Sequence, residues 1–376
     1  MSIYDVDGTS LSSAYQKNGS VISNAYNSAG QLVWTASGGS YTDTIDQAAS
    51  IWRTEYTGDS GIVPLVLSTD QHSYLNASHG KILYDYLGST LTWSEISASL
   101  NLGDVCAGTY STTELGNAKT ALASVPAAKQ INILGNHDVW ATSNTVITDD
   151  QFTYAQTYYF NNSSYNGNSR FENRGCEIMI DSTRHIKYLV ISCFYFPDGV
   201  YYHYSIPEDA MDWILQQMST VDSNDIIVLS HIQPLATTRT WYTPPTDGNP
   251  YSSETRNRNY SGVAPYGAAG LFEGLLAARK NKTSGTITDS DGIVHSYDFS
   301  SCTSDILCWL AGHAHEDSYA YDGGIVPVVL FDAYRYDQHP FFFINVDRTN
   351  ERLSILKVDE SPTIYAYTVP FTEVTP

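Results

Sequence analysis

The sequence has few basic residues for its size. Across 376 residues, 19 Lys and Arg stand against 40 Asp and Glu, which gives a formal net charge of −21. Nucleic-acid binding is driven by lysine and arginine side chains that neutralise phosphates, so this balance argues against nucleic acid as a partner. A small phosphorylated substrate is compatible with the charge, because bound metal ions supply positive charge locally.

Cysteine and long apolar runs are also scarce. The five cysteines are odd in number, and Cys302 and Cys308 lack the C-x-x-C spacing of a structural zinc site, so neither a disulfide framework nor such a site is expected. No apolar run approaches the ~20 residues that cross a bilayer, and the first residues lack the basic start and apolar stretch of a signal peptide. We therefore expect a soluble protein without a membrane partner, either cytoplasmic or associated with a virus particle.

Residues 1–55 differ in composition from the rest of the chain. They are rich in Ser, Thr, Asn, Gly and Tyr, and residues 14–19 are echoed by residues 25–30, a pattern that predicts short strands with glycine turns. The segment holds too little apolar material for a core of its own. We therefore predict an appendage over 1–55 that packs on a domain of 56–376 or on a neighbouring subunit, and that serves self-association or attachment to a particle. Its composition is similar to that of N-terminal segments of phage and prophage structural proteins.

Five strand-like apolar runs each end in side chains that can bind metal. Glycine at several of these ends lets the backbone turn where a side chain would clash, and open α/β sheets place their ligands beyond the carboxyl ends of their strands. Residues i and i+2 of an extended chain point to the same side, so Asp70 with His72, and His313 with His315, can each bind as a pair. In chain order, the polar side chains beyond the five runs are Asp70 and His72, Asp104, Asn136 with His137 and Asp138, His231, and His313 with His315.

The order of these motifs (D-x-H, G-D, G-N-H-D, a single His, and G-H-x-H) over residues 70–315 resembles the signature of the calcineurin-like metallophosphoesterase superfamily. The resemblance implies an α/β fold with a two-sheet β-sandwich flanked by helices, and a centre of two divalent metal ions. It places one ion on Asp70, His72 and His315 and a second on Asn136, His231 and His313, with Asp104 bridging both.

The same resemblance implies hydrolysis of phosphomonoesters or phosphodiesters by attack of a hydroxide held on the two ions. Carboxylate, imidazole and amide ligands suit manganese, iron, zinc, cobalt or nickel, and the sequence does not decide among them. His137 is expected to stabilise the phosphoryl oxygens or to protonate the leaving group, with Asp138 fixing its orientation. Purple members of the superfamily carry a tyrosine ligand three positions after the bridging aspartate. This chain has Ala107 there, so a colourless, non-purple member is predicted.

A long irregular segment, residues 233–265, follows His231 directly and contains several prolines. It concentrates basic and aromatic side chains in an acidic chain, and long irregular loops of compact domains tend to be functional. We therefore predict that it covers the site and reads the substrate. The alternative is a surface loop whose arginines pair with surplus carboxylates. The predicted substrate contacts are Arg239, Trp241, Arg256 and Arg258.

Elements outside the motifs are predicted from apolar periodicity and helix-start signals. The predicted helices cover residues 79–87, 112–125, 207–218 and 267–280. A second sheet begins with strands over 176–180 and 187–194, and a polar hairpin covers 281–300. Strands over 325–331, 341–346, 353–358 and 364–369 complete the fold.

Two further functions remain open at this stage. The chain is compatible with a particle-associated structural or adhesion protein in which the phosphoesterase fold mainly contributes shape, a reading favoured by residues 1–55 and by the acidity. A nuclease would use the same phosphoester chemistry, but the net negative charge of the chain argues against it. This function requires the segment from Arg239 to Arg258 to form a local basic groove.

Overall fold

A computed structural model describes residues 41–72, 91–142, 176–192, 206–232 and 272–373, apart from breaks at 207, 289–291, 316, 332–339 and 359–363. It also describes the backbone of short N-terminal strands, the strands at 145–146 and 169–170, and isolated residues that include Tyr84, Tyr159 and Tyr242. This part of the chain covers the five predicted motifs in full, whereas Arg239, Trp241, Arg256 and Arg258 lie outside it.

Strands outnumber helices in the described part of the chain. The helices are α1 (Tyr41–Tyr56), α2 (Thr112–Leu122), α3 (Asn136–Val139), α4 (Glu208–Ser219) and α5 (Leu275–Lys280). The strands are β1 (Ile3–Tyr4), β2 (Ser10–Leu11), β3 (Ala14–Tyr15), β4 (Val21–Ile22), β5 (Asn24–Tyr26), β6 (Leu32–Thr35), β7 (Ile62–Ser68), β8 (Ala98–Asn101), β9 (Gln130–Asn132), β10 (Trp140–Thr142), β11 (Thr145–Val146), β12 (Ser169–Arg170), β13 (Glu177–Asp181), β14 (Ile186–Val190), β15 (Asp225–Ser230), β16 (Ser284–Thr288), β17 (Val294–Asp298), β18 (Ile306–Ala311), β19 (Ser318–Asp322), β20 (Val326–Leu330), β21 (Phe341–Asp347), β22 (Arg352–Val358) and β23 (Ile364–Pro370).

Two large sheets form the body of the molecule. The first has the order β23–β22–β21–β7–β8–β9, with β7, β8 and β9 parallel and the three late strands antiparallel. The second has the order β12–β13–β14–β15–β18–β20–β19, with a parallel centre of β14, β15, β18 and β20. Every residue of β7 and β18 is buried, as expected for parallel strands covered on both faces.

Apolar side chains of both sheets belong to one hydrophobic core. Polar contacts also join the sheets: the Ser97 hydroxyl, at the start of β8, donates to Asp181 Oδ2 at 2.5 Å and lies 2.5 Å from the Tyr188 hydroxyl. The predicted mixed α/β fold with two multi-stranded sheets is therefore confirmed. The predicted hairpin over 281–300 is also present, as β16 paired with β17.

Helix α1 was not predicted from the sequence, because half of its 16 residues are Ser, Thr, Gln, Asp or Glu. Its buried side chains nevertheless recur at helical spacing, at Ile45, Ala48, Trp52 and Tyr56. The Trp52 indole donates to the carbonyl oxygen of Ile344 in β21 at 3.0 Å. The helix thus packs on the first sheet and crosses residue 55, where the appendage was predicted to end; that domain division stays a prediction.

The other helices match their predictions to different degrees. Helix α2 begins after Ser111, whose hydroxyl accepts from the Glu114 backbone N–H at 3.2 Å, and α4 covers residues 208–218 of the predicted 207–218, with residue 207 outside the described part of the chain. Of the helix predicted over 267–280, residues 275–280 form α5, and Gly274 before it has a φ of 77°, outside the helical region; residues 267–271 lie outside the described part of the chain. The helix predicted at 79–87 lies mostly outside the described residues.

The N-terminal strands form three hairpins of the same construction. Tyr15 pairs with Val21 and Tyr26 with Leu32, as the echo between residues 14–19 and 25–30 predicts, and Tyr4 pairs with Ser10 in the same way. The repeat therefore has a third copy, which begins at Ile3 and which the sequence reading missed.

None of the helices in the described part of the chain combines the length and the apolar composition that a membrane crossing requires.

Candidate functional site

The polar motifs predicted from the sequence converge where the two sheets present the carboxyl ends of their parallel strands. Asp70, Asp104 and Asn136 follow β7, β8 and β9 of the first sheet, whereas His231 and His313 follow β15 and β18 of the second. Metal-capable atoms of Asp70, His72, Asp104 and His315 all lie within 4.8 Å of one another, and so do those of Asp104, His231 and His313. The structure thus brings the predicted ligands together in a buried Asp/His cluster whose donors could hold divalent cations.

Asp104 is the residue that both groups share. Its Oδ2 atom lies 3.3 Å from His231 Nε2 and 4.0 Å from His72 Nε2. Its other oxygen, Oδ1, accepts a 2.8 Å hydrogen bond from the backbone N–H of His137. Asn136 adjoins the second group, because its Oδ1 lies 3.0 Å from His231 Nε2. One carboxylate oxygen is therefore fixed by the backbone while the other faces the imidazoles.

Asp70 is oriented in the same way. Its Oδ2 accepts from the Thr69 hydroxyl at 2.7 Å and from the His313 backbone N–H at 2.9 Å. Its Oδ1 is buried and accepts no hydrogen bond from the described residues, although His315 Nε2 lies 3.1 Å away. A buried carboxylate oxygen without a donor is costly, and a bound cation would satisfy it.

The imidazoles present Nε2 to the cluster because their Nδ1 atoms face carbonyl oxygens. His231 Nδ1 lies 2.7 Å from the carbonyl oxygen of Leu102, and His72 Nδ1 lies 3.3 Å from that of Cys106. A carbonyl oxygen only accepts, so each Nδ1 carries the hydrogen and each Nε2 keeps its lone pair in the neutral ring. His72 Nε2 and His315 Nε2 face each other at 3.2 Å. A cation bound by both nitrogens would explain this spacing.

Backbone strain is concentrated at the same residues. Five of the seven predicted ligands have positive φ angles, in the left-handed region that non-glycine residues seldom adopt. Such strain costs about 1–3 kcal/mol per residue and persists where the surroundings enforce it, often at functional sites. The five are Asp70 (52°), His72 (43°), Asp104 (54°), His313 (67°) and His315 (55°).

Two motif glycines are required by close approach. A Cβ atom on Gly135 would lie 2.1 Å from Asp104 Oδ1 and 2.2 Å from its backbone nitrogen. A Cβ on Gly312 would lie 2.0 Å from the Thr69 hydroxyl and 2.7 Å from Asp70 Oδ2. The glycine of each motif thus leaves room for an aspartate that another motif supplies.

The charges of the cluster depend on one another. Burial by itself would raise the pKa of Asp70, but His231 and His315 outweigh it and hold that pKa at about 2. Burial likewise opposes the charged form of His231, yet Asp104 and Asp70 raise its pKa to about 9. Burial dominates at His72 and His313, and lowers the pKa of each to about 4.

These features meet the requirements of a divalent-cation site. Asp70 and Asp104 are both buried, and within the described part of the chain only histidines form ion pairs with them. Two carboxylates taken out of water need compensation by positive charge. Oxygen and imidazole donors of this kind suit manganese, iron, zinc, cobalt or nickel, and the geometry does not choose among these metals.

His137 lies at the rim of the cluster. Its Nε2 is 3.8 Å from Asp104 Oδ2, and its side chain is 20% exposed. The predicted role of Asp138 in orienting His137 stays a prediction; the hydrogen bonds that the structure gives the Asp138 carboxylate, both 2.8 Å, come from the backbone N–H groups of Cys106 and Gly135. The atom beside His137 Nδ1 is the carbonyl oxygen of Gly108, at 3.0 Å. The buried Asp138 carboxylate therefore ties two loops together, and a backbone carbonyl orients the imidazole.

Trp140 is a neighbour of the site that sequence reasoning missed. Its ring meets the His137 ring edge-on at a centroid distance of 5.1 Å. Only its position, three residues after His137, pointed to it.

The four predicted substrate contacts, Arg239, Trp241, Arg256 and Arg258, lie outside the described residues, and their role stays a prediction.

Comparisons with known proteins give structural likenesses only. No protein-family model matches the sequence, and no curated protein matches it. A dimetal phosphatase from Danio rerio has a TM-score of 0.48 and 11% identity, over 82% of this chain and 99% of that one. The 5'-nucleotidase from Candida albicans has a TM-score of 0.39 and 14% identity, over 79% of this chain and 51% of the nucleotidase. Function is therefore read from the site itself.

Proposed function

We propose that this chain is a binuclear metal-dependent phosphoesterase that hydrolyses phosphomonoesters or phosphodiesters. The observation that carries the proposal is the shared carboxylate of Asp104, which belongs to both buried groups of metal-capable atoms. Two-metal hydrolases hold their ions ~3.5–4 Å apart, a spacing that one bridging carboxylate can span. The order of motifs from residue 70 to 315 supports the same class, that of the calcineurin-like metallophosphoesterases.

The residues divide into two proposed subsites, each built from both sheets. The first subsite consists of Asp70, His72, Asp104 and His315. The second consists of Asp104, Asn136, His231 and His313. When bound, a pair of divalent cations lowers the pKa of coordinated water and neutralises the oxygens of a phosphoryl group.

His137 is placed to act on the substrate rather than on a cation. Because the Gly108 carbonyl holds the Nδ1 hydrogen, Nε2 is the atom that faces the cluster. In the protonated ring Nε2 donates a hydrogen bond, which stabilises phosphoryl oxygens or delivers a proton to the leaving oxygen. The Trp140 ring packs edge-on against the His137 ring.

The test compares wild-type protein with Asp104→Asn on nitrophenyl phosphate and bis(nitrophenyl) phosphate, with added Mn²⁺. Loss of the shared carboxylate removes several kcal/mol of charge stabilisation. Since each ~1.4 kcal/mol is tenfold in rate, activity should fall by at least ~100-fold.

Asp322→Asn is the matched control. Asp322 is also buried, but it accepts from the backbone N–H groups of Gly274 and Ala277 rather than from the cluster. Its variant should retain the hydrolytic rate. Unchanged hydrolysis in Asp104→Asn would refute the proposed mechanism, and the ratio of the two wild-type rates would decide between monoesters and diesters.

A further inference from the structure

A group of buried amides and hydroxyls lies behind the cluster, on the side of the first sheet. Its members are joined to one another by side-chain hydrogen bonds, and none of them is a predicted ligand. They connect the turn after β7, which carries Asp70 and His72, with the turn after β8, which carries Asp104. The members are Ser68, Gln71, Tyr84, Asn101 and Tyr159.

Gln71 is fully buried and stands between two strained residues, Asp70 and His72. Its Nε2 donates to the Ser68 hydroxyl at 2.8 Å. Its Oε1 accepts from Asn101 Nδ2 at 3.3 Å. The side chain is therefore held at both ends of its amide, and it anchors the turn that carries Asp70 and His72.

Asn101 connects this anchor with the neighbouring turn. Its Oδ1 accepts from the backbone N–H of Gly103 at 3.3 Å, one residue before Asp104. Its Nδ2 donates to Tyr159 as well as to Gln71. Its backbone carbonyl accepts from Ile133 at 2.8 Å, in the segment that leads to Gly135. One asparagine thus contacts all three turns of the first sheet that carry predicted ligands.

We propose that Gln71 and Asn101 are positioning residues that hold Asp70, His72 and Asp104 in their strained conformations before a cation binds. Left-handed backbone at three ligands persists only where neighbouring groups enforce it, and these two buried amides join the two turns through hydrogen bonds of their side chains. Residues behind metal ligands typically change metal affinity by 10–100-fold. The inference rests on the proposed function only in taking the cluster to bind cations.

Calorimetric titration of the metal-free protein with Mn²⁺ tests this role. In Gln71→Leu, the affinity of one of the two Mn²⁺ ions should fall by about 10–100-fold, because Gln71 supports the turn of the first subsite. In Asn101→Leu both ions should bind more weakly, since Asn101 also supports the shared Asp104. The electron paramagnetic resonance spectrum of bound Mn²⁺ should show the same difference between the two variants.

Ser97→Ala is the matched control, because Ser97 is also buried and the hydrogen bonds described for its hydroxyl join Asp181 and Tyr188 of the second sheet. It should lower the melting temperature without changing Mn²⁺ affinity. Mn²⁺ affinity in Gln71→Leu within a factor of about three of wild type, which is well inside the 10–100-fold expected, would overturn the proposal, and so would an equal loss in Ser97→Ala. If Gln71→Leu fails to fold, Ser68→Ala removes the acceptor of Gln71 and must still weaken one ion.

These outcomes are separate from those of the proposed function. A wild-type protein that binds two Mn²⁺ ions but cleaves neither ester refutes the phosphoesterase and leaves the positioning role intact. Hydrolysis by the wild type, with unaltered Mn²⁺ affinity in both amide variants, does the reverse.

Discussion

In the side chains of the cluster, one polar atom is held by a backbone group and another faces the neighbouring ligands. Asp70 and Asp104 each have one oxygen fixed by a backbone N–H group and the other turned to the imidazoles. His72 and His231 have one ring nitrogen facing a carbonyl oxygen and the other facing the carboxylates. The protein's own backbone groups orient these donors, which favours binding because little reorganisation remains.

The first residue-scale prediction concerns His137. In His137→Asn the hydrolytic rate should fall by about 10²–10⁴-fold, the usual contribution of a positioned proton donor. The metal content should stay at two ions, because His137 belongs to neither proposed subsite. Steady-state kinetics together with metal analysis would check this. His185→Asn, an exposed histidine with a φ of 56°, is the control, and loss of metal from His137→Asn would contradict the assigned role.

The second residue-scale prediction concerns pH. In the metal-free protein the carboxylates raise the pKa of His231 to about 9, so at pH 7.5 this ring carries a proton that a cation must displace. His72 and His313, with pKa values of about 4, are already neutral and release none. Mn²⁺ affinity should therefore rise from pH 6.5 to 9, with about one proton released at pH 7.5.

Calorimetry in buffers of different ionisation enthalpy measures this proton, and heats that do not depend on the buffer would contradict the prediction.

The stability of the metal-free protein should change with pH in the opposite direction to the Mn²⁺ affinity. The raised pKa of His231 stabilises the metal-free fold fully below pH 6.5, and this contribution is lost as the pH rises through 9. Unfolding of the metal-free protein should thus become easier between these values.

At the scale of elements, the motifs are ends of strands, and this is why much of the site was predictable. An apolar run that stops at Gly103 or Gly135 and continues with polar residues marks both the strand and its ligand. The bonds of Asp138 were not predictable, because its partners are backbone N–H groups, one of them in another loop. Helix α1 was hidden by its polar composition, although the spacing of Ile45, Ala48 and Trp52 carried the signal.

The element-scale prediction uses Gly135, at the turn between β9 and α3. Gly135→Ala would place a methyl group 2.1 Å from Asp104 Oδ1, so either the turn or the aspartate must move. Such overpacking typically costs 1–3 kcal/mol. Both Mn²⁺ sites should weaken, because Asp104 is shared.

Gly116→Ala, in helix α2, is the control: apart from its chain neighbours and the backbone of its own helix, no atom of the described residues lies within 4 Å of the added methyl group, and stability should rise by roughly 0.5–1 kcal/mol. Denaturant unfolding and Mn²⁺ titration of both variants decide the matter. An alanine at 135 that leaves Mn²⁺ affinity unchanged would show that the close approach to Asp104 is not required.

At the scale of the whole molecule, the three N-terminal hairpins stand apart in construction from the two-sheet body. Two-stranded hairpins of this length are marginal by themselves, and repeats generally gain stability by stacking on neighbours. We therefore keep the hypothesis that they mediate self-association or attachment to a particle, beside the enzymatic one.

Removal of residues 1–40 tests this hypothesis. The deletion keeps α1, whose Trp52 packs on the first sheet, so the remaining body should fold and keep its hydrolytic rate. Size-exclusion chromatography with light scattering should show a larger assembly for the full chain than for the truncated one. Identical monomers would count against self-association through the hairpins.

Each proposed subsite draws its donors from both sheets, with Asp70 and His72 opposite His315, and Asn136 opposite His231 and His313. Bound ions would therefore hold the two sheets together. Unfolding that separates the two sheets must also release the bound ions. The melting temperature should therefore rise with the concentration of free metal. At 100 times the dissociation constant, a bound ion adds about 2.7 kcal/mol, and a chelator should abolish that gain in wild type but leave Asp104→Asn nearly unaffected.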